Sequence, residues 1–316
     1  MSVELMNRLL PGGADVAFGD IEVTALRLAR GAQGRGRSPA RALTATVVVV
    51  GSPGRLAEAA DALAQLEEVS GVRTILISEG EQSAPNARVT EQSIAIAGLA
   101  PRYIDNAVAA LRLSSLPALV WWRGGSLEAL DDVAKLADRL VLDTESPDET
   151  WTHAQGFLEG TAVTDLRWTR LTRWRSLLAH LFDLPHVREA APRIQRLAIA
   201  ASDPYAARLF AGWLRTALRW PASVAVSITP ADGDGRSPLE RVQVDADGTL
   251  VTLQVLPSRT CLQASVDADS ASSRIVPLGD SGLKALIGEE LAVRTRDLAF
   301  ERALAAAGAL AKEHNE

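Results

Sequence analysis

The chain has 316 residues, 47% hydrophobic and 23% charged, with a formal net charge of −6 at pH 7. The length argues for two domains, the hydrophobic share for packed cores rather than disorder, and the acidic balance against general nucleic-acid binding, which needs a broad basic face. Cys261 is the only cysteine, so no internal disulfide can form.

At the N-terminus, MSVELMNRLLPGGADV carries Glu4, Arg8 and a Pro-Gly-Gly break where a signal peptide would have an apolar core. Apolar runs such as TVVVVG and ALVWW fall far short of a membrane span. The expectation is a cytoplasmic protein without membrane contact. Residues 21–30 are spaced as a helix, and GAQGRGRSP behind them has the Gly, Ser and Pro content of a flexible connector. Residues 44–51, TATVVVVG, are β-branched without alternation, the pattern of a strand buried on both faces of a parallel sheet. Ser52 then stands as a helix N-cap with Pro53 in the first turn. The helix RLAEAADALAQLEEV and the strand VRTILIS complete a βαβ unit.

The alternation continues. ARVTEQSIAIAG is expected as one strand, APRYIDNAVAALRL as an amphipathic helix, PALVWWRG as a buried strand, SLEALDDVAKLA as a helix and DRLVLDT as a further strand. After SPDET, near Thr150, the character changes. PRIQRLAIAAS is expected as a strand and DPYAARLFAGWLRTALRW as a helix. Four β-like segments follow, ASVAVSITP, LERVQVDADG, TLVTLQVLP and TCLQASVDAD, with Asp247-Gly248 a strong hairpin turn. Two helices, SGLKALIGEELAV and RDLAFERALAAAGAL, close the chain. The expected fold is an N-terminal α/β domain with a mostly parallel sheet and flanking helices, then an α+β domain with an antiparallel sheet. The expected division is 1–40 as a helix and connector, 41–150 as the α/β domain and 151–316 as the α+β domain.

A search for chemistry finds little. GSPGRL, residues 51–56, matches neither G-x-G-x-x-G nor G-x-x-x-x-G-K-[ST], and reads as a capped helix start, though such an N-terminus can attract an anion. His153, His180, His186 and His314 lack metal-ligand spacing; His180 and His186 flank Asp183 as helix-end residues. Asp232 and Asp234 resemble the start of a calcium loop, but the glycine and closing glutamate are misplaced, which makes a hairpin tip the better reading. No nucleophile elbow is present, and Cys261 has no histidine near it in sequence. No catalytic residue, metal or cofactor is expected.

Tryptophan is over-represented, with seven Trp against five Phe and two Tyr. Trp121 and Trp122 adjoin on one expected strand and must point to opposite faces, so one can fill the core while the other needs a different partner or solvent. In DLRWTRLTRWRSLLAHLFD, Trp168, Leu171, Trp174 and Leu178 fall on one helical face. Arg167, Arg170, Arg173 and Arg175 are interleaved with them, and no acid intervenes. Such a face can be core with a charged rim. It can also be a binding surface, since Trp and Arg are the residues most enriched at interface hot spots. On the second reading Arg167, Trp168, Arg170, Arg173, Trp174 and Arg175, with Trp121 and Trp122, are the candidate partner contacts.

These residues carry a resemblance. DLRWTRLTRWRSLLAHLFD is similar to the signature of the glucose-6-phosphate dehydrogenase assembly protein family, OpcA. So are LPALVWWRGG, the Glu91-Gln92 pair opening a strand, ADRLVLDTESPD, DPYAARLFAGWLRTALRW and the closing helices, in the same order from about Arg41 onward. The resemblance implies a non-catalytic helper that promotes assembly or activity of glucose-6-phosphate dehydrogenase, the NADP-dependent enzyme that begins the oxidative pentose phosphate pathway. In phototrophs the family is associated with thiol redox control; Cys261 alone cannot supply an internal switch. A sugar-phosphate or nucleotide sensor using the arginine forks is the alternative, and an unrecognised α/β enzyme a second.

Overall fold

A computed structural model describes residues 3–33, 43–82, 85–221, 223–267, 273–293 and 295–313. Two compact units result: residues 1–164 with 287–296, and residues 165–286 with 297–316.

The first unit is built on an eight-stranded sheet. Its strands are β1 (Ala14–Val16), β2 (Ala45–Val50), β3 (Val72–Glu79), β4 (Asn86–Val89), β5 (Ser93–Leu99), β6 (Ala118–Trp122), β7 (Arg139–Leu142) and β8 (Ala162–Asp165), the last running into the second unit. The order across the sheet is β1-β4-β5-β3-β2-β6-β7-β8. The pairs β5-β3, β3-β2, β2-β6 and β6-β7 are parallel, and β4 is antiparallel to both β1 and β5. Helices α1 (Val3–Leu9), α2 (Ile21–Gln33), α3 (Pro53–Ser70), α4 (Ile104–Leu111), α5 (Leu127–Ala134) and α6 (Asp148–Ala154) accompany the strands. Every residue of β2 is buried, as its unbroken β-branched run requires when both faces are covered.

Several expectations change here. Residues 87–98 are two strands, because Thr90 and Ser93 close a hairpin: the Thr90 amide donates to the Ser93 carbonyl at 2.8 Å, and the Ser93 amide to Thr90 Oγ1 at 3.0 Å. Ser52 takes the N-cap position with Pro53 next, but its side chain makes no capping hydrogen bond. The first residues are no separate arm. β1 pairs with β4, Met6 and Leu9 are buried, and Arg88 Nε donates to Asp15 Oδ1 at 2.9 Å. The helix from Ile21 runs to Gln33, so the expected connector begins three residues late, and its part from Gly34 lies outside the described residues.

The break expected near Thr150 falls instead after Thr164. SPDET opens α6, whose Trp151 and Ala154 are buried, and the Thr161 hydroxyl donates to the Ala134 carbonyl at 3.0 Å. Residues 287–296 also join the first unit. There the Glu290 carboxylate accepts from Arg139 Nε at 2.7 Å, with both side chains at least nine-tenths buried.

The second unit has a six-stranded sheet of order β10-β9-β11-β12-β13-β14. The strands are β9 (Ile194–Ala201), β10 (Ala225–Pro230), β11 (Leu239–Ala246), β12 (Thr249–Val255), β13 (Cys261–Val266) and β14 (Arg274–Pro277). Only β9 and β10 pair in parallel; the others are antiparallel. The hairpin at Asp247-Gly248 is as expected, with φ of 50° and 89° at its two turn residues. The loop of Asp232 and Asp234 is no hairpin tip: β10 and β11 lie on opposite sides of β9, so it crosses the end of that strand. Helices α7 (Leu166–Arg170), α8 (Thr172–Phe182), α9 (Pro185–Ala190), α10 (Pro204–Ala217) and α12 (Leu298–Glu313) belong to this unit, and α11 (Leu283–Ala292) passes from it into the first. The Asp267–Ser273 connector lies, apart from its two ends, outside the described residues. No helix among the described residues is long and apolar enough to cross a membrane.

Candidate functional site

In an open α/β sheet the strand order reverses at one point, and ligands bind there, outside the carboxyl ends of the strands. Here that point lies between β2 and β6. A cavity of about 300 Å³ sits at it, lined by Gly51, Ser52 and Pro53 below α3, by Glu79 at the end of β3, and by Arg123, Gly124 and Gly125 after β6. The position is that of a dinucleotide pyrophosphate, but the chemistry differs. Pro53 removes one backbone donor from the helix start. The Glu79 carboxylate, where such folds hold a ribose, accepts from the Ser126 amide at 2.9 and 3.0 Å and from its hydroxyl at 3.2 Å. It thereby anchors the start of α5. Gly125, at φ 142°, permits this: a Cβ there would stand 2.5 Å from Glu79 Oε1.

Beside the cavity, charges close on one another. Arg123 Nε donates to Asp143 Oδ2 at 2.8 Å and its Nη2 to Glu58 Oε2 at 2.9 Å, while Arg55 reaches Asp143 Oδ2 at 3.3 Å and Glu145 at 3.1 Å. Arg123 also donates to the Arg55 carbonyl and lies 4.9 Å from the centre of the Trp121 ring. Both guanidinium groups are thus held by the chain's own carboxylates. Sequence reading missed this network. Its signal was an arginine directly after β6 and an aspartate directly after the neighbouring β7, at the same end of the sheet. Burial pulls the Arg73 guanidinium below its ordinary range, opposed by Glu22, at the other end of β3.

The Trp/Arg stretch opens the second unit. Asp165 caps α7, its Oδ1 accepting from the Arg167 amide at 2.8 Å. The expected single helix is two, breaking at Leu171. Trp168, Leu171, Trp174 and Leu178 are buried, as one apolar face requires. Trp168 donates Nε1–H to Asp297 Oδ2 at 2.7 Å and packs on Phe300; Trp174 donates to Ser237 Oγ at 3.2 Å. The Ser237 hydroxyl in turn donates to the Leu239 carbonyl at 2.7 Å, which explains why it is buried within a polar loop.

Burial therefore takes the tryptophans off the surface. Trp168 is 2% exposed and Trp174 1%, and in the first unit Trp121 and Trp122 are 0% and 1% exposed. Neither of the adjoining pair meets solvent, because both faces of the sheet are covered. Arg167 is buried too, its Nε donating to Asp203 Oδ2 at 2.9 Å, and Asp203 in turn caps α10 through the Tyr205 and Ala206 amides. Arg175 is half-buried over the Trp168 ring, 3.5 Å from its centre. Arg170 is half-buried and Arg173 exposed. The outward edge of the stretch is thus Arg170, Arg173 and the rim of Arg175.

The remaining candidates stay apart. His180 and His186 are exposed, with His180 Nδ1 2.7 Å from the Ser176 carbonyl oxygen, and His314 lies outside the described residues. Among the described residues no three metal-ligating side chains gather. Cys261 is half-buried on β13, 3.7 Å from the Thr260 hydroxyl.

Two such units define a class: a doubly wound α/β unit, followed by an α+β unit with a mostly antiparallel sheet. A super-repressor mutant of Gal80p from Saccharomyces cerevisiae has this fold, at TM-score 0.53 and 9% identity over 86% of this chain and 95% of that one. Residues 161–304 match the family described as the C-terminal domain of a glucose-6-phosphate dehydrogenase subunit. Through that domain the chain is similar to the OpcA family. It is 30% identical over 129 residues to the OxPP cycle protein OpcA of Nostoc punctiforme and 29% over 126 residues to that of a Synechocystis species, 37% of this chain in each case. The matches span 27% and 26% of those proteins, about a quarter of their length.

Proposed function

We propose that this protein is a non-catalytic partner of glucose-6-phosphate dehydrogenase, binding the enzyme and promoting its assembly or activity in the oxidative pentose phosphate pathway. The observation that carries this reading is the match of residues 161–304 to a domain described as belonging to a subunit of that dehydrogenase. The chemistry of the first unit agrees. At the sheet's switch point, where this fold class binds cofactors, Glu79 and Arg123 are engaged by the chain itself. The contact surface on this reading is the edge formed by Arg170, Arg173 and Arg175, anchored from behind by Trp168 and Trp174. Arginine forks suit carboxylates on a partner surface.

The reading is tested by mixing the purified chain with the dehydrogenase of the same cell and recording complex mass and activity together. A joint species with raised activity is expected. The chain alone is expected to oxidise no glucose 6-phosphate and to retain no NADP, read by absorbance at the reduced-nicotinamide band and by mass spectrometry. Turnover by dehydrogenase-free protein contradicts the proposal.

The effect on the dehydrogenase is also expected to survive Cys261→Ser. The thiol sits in a strand whose alternation is structural, and it has no second cysteine to pair with. Loss of a redox response in the folded variant, where the parent shows one, would assign the thiol a role.

A further inference from the structure

One face of the second unit's sheet is core; the other carries a patterned set of polar side chains. Inward residues such as Leu197, Val242, Leu253 and Leu262 are buried, and α8 and α10 are the helices that pack on these strands. The alternate residues form rows across the sheet by register. One row runs Ala200, Arg241, Gln254, Gln263; the next Ala198, Gln243, Thr252, Ser265; the third Arg196, Asp245, Leu250. These side chains are half-buried or exposed, and apart from Arg241 the first two rows hold only Ala, Gln, Thr and Ser. The middle row, Ala198, Gln243, Thr252 and Ser265, carries no charge and three small side chains, which lets a second sheet approach over it, as stacked sheets do at about 10 Å.

The charges on this face have a symmetry. β11 is a central strand, and its outward residues are Arg241, Gln243 and Asp245 in that order. A twofold axis lying between two stacked sheets, along the Gln243 row, reverses each strand over its copy. Arg241 of one chain then stands over Asp245 of the other, and the reverse pair forms at the same time. On the axis Gln243 meets Gln243, and an amide, being donor and acceptor at once, can bond its own kind. Self-complementarity of this form is what an isologous twofold interface requires.

We infer that this sheet face is a homodimer interface, its occupant a second copy of this chain with Arg241 paired to the other copy's Asp245 across a twofold axis. Within one chain Asp245 also meets Arg196, 3.0 Å away, and Arg241 meets Gln254, 2.7 Å away, so both charges are already oriented.

Sedimentation of the full chain at micromolar concentration tests this. The parent is expected at twice the chain mass. Arg241→Glu and Asp245→Arg each set like charges opposite one another in both pairs, and each is expected as single chains that remain folded by circular dichroism. The double variant restores opposite charges and is expected to regain the dimer. Gln243→Arg, with two guanidinium groups on the axis, is expected as single chains whatever the others do. A monomeric parent, single variants that remain dimeric, or a folded double variant that stays monomeric overturns the inference. A monomeric parent whose capture of the dehydrogenase is abolished by Arg241→Glu gives this face to the enzyme instead, and overturns it equally.

Discussion

Trp174→Ala is expected to destabilise the second unit by about 3–5 kcal/mol, the usual range for deleting a fully buried large aromatic. Trp174 is 1% exposed, and its indole N–H satisfies Ser237, which in turn satisfies the Leu239 carbonyl. The substitution removes packing and the hydrogen bond together, leaving a cavity between α8 and the loop that enters β11. For a unit of this size the melting transition should fall by roughly 10 °C. Trp174→Phe keeps most of the packing and should lose far less. A melting temperature for the alanine variant equal to the parent's would show that the indole is not core.

Arg139→Leu is expected to cost the first unit about 3–5 kcal/mol, because it leaves the Glu290 carboxylate buried without its guanidinium. Glu290 lies in the segment 287–296, which returns to the first unit after the second is complete, and Arg139 also donates to the Thr295 carbonyl at 3.3 Å. One arginine therefore holds that segment at two points, Glu290 and Thr295. Arg139→Leu with Glu290→Leu should recover much of the loss, since two apolar side chains of similar length need no compensation. Denaturant unfolding of the parent, the single and the double variant checks both statements. Equal stability of the parent and the single variant would contradict the buried pair.

The fold was legible where period and composition agreed. The unbroken valines of β2 announced a strand covered on both sides, and Asp247-Gly248 announced its hairpin. Domain limits were not legible, because they depend on contacts distant in sequence. SPDET has the composition of a linker yet starts α6, and Glu290 is held in the first unit by Arg139, 151 residues before it. The candidate site was half legible. Helical spacing put Trp168 and Trp174 on one face, but spacing does not say whether a face is covered. The answer lay with Asp297 and Ser237, which lie 129 and 63 residues away from their indoles. Similarly, Trp121 and Trp122 had to point in opposite directions; that both directions lead inward follows from helices packed on both faces.

On the proposed reading the Trp/Arg stretch faces inward with Trp168, Trp174 and Arg167, and toward the dehydrogenase with Arg170, Arg173 and the rim of Arg175. Arg170→Ala with Arg173→Ala, first shown to melt like the parent, tests this most directly in a binding titration against the dehydrogenase with activity read in parallel. The account predicts a loss of affinity of more than tenfold, the scale of about 2 kcal/mol for a hot-spot arginine, with a matching loss of activation. Undiminished binding and activation by the folded double variant would contradict it, and would leave the stretch as core with a charged rim.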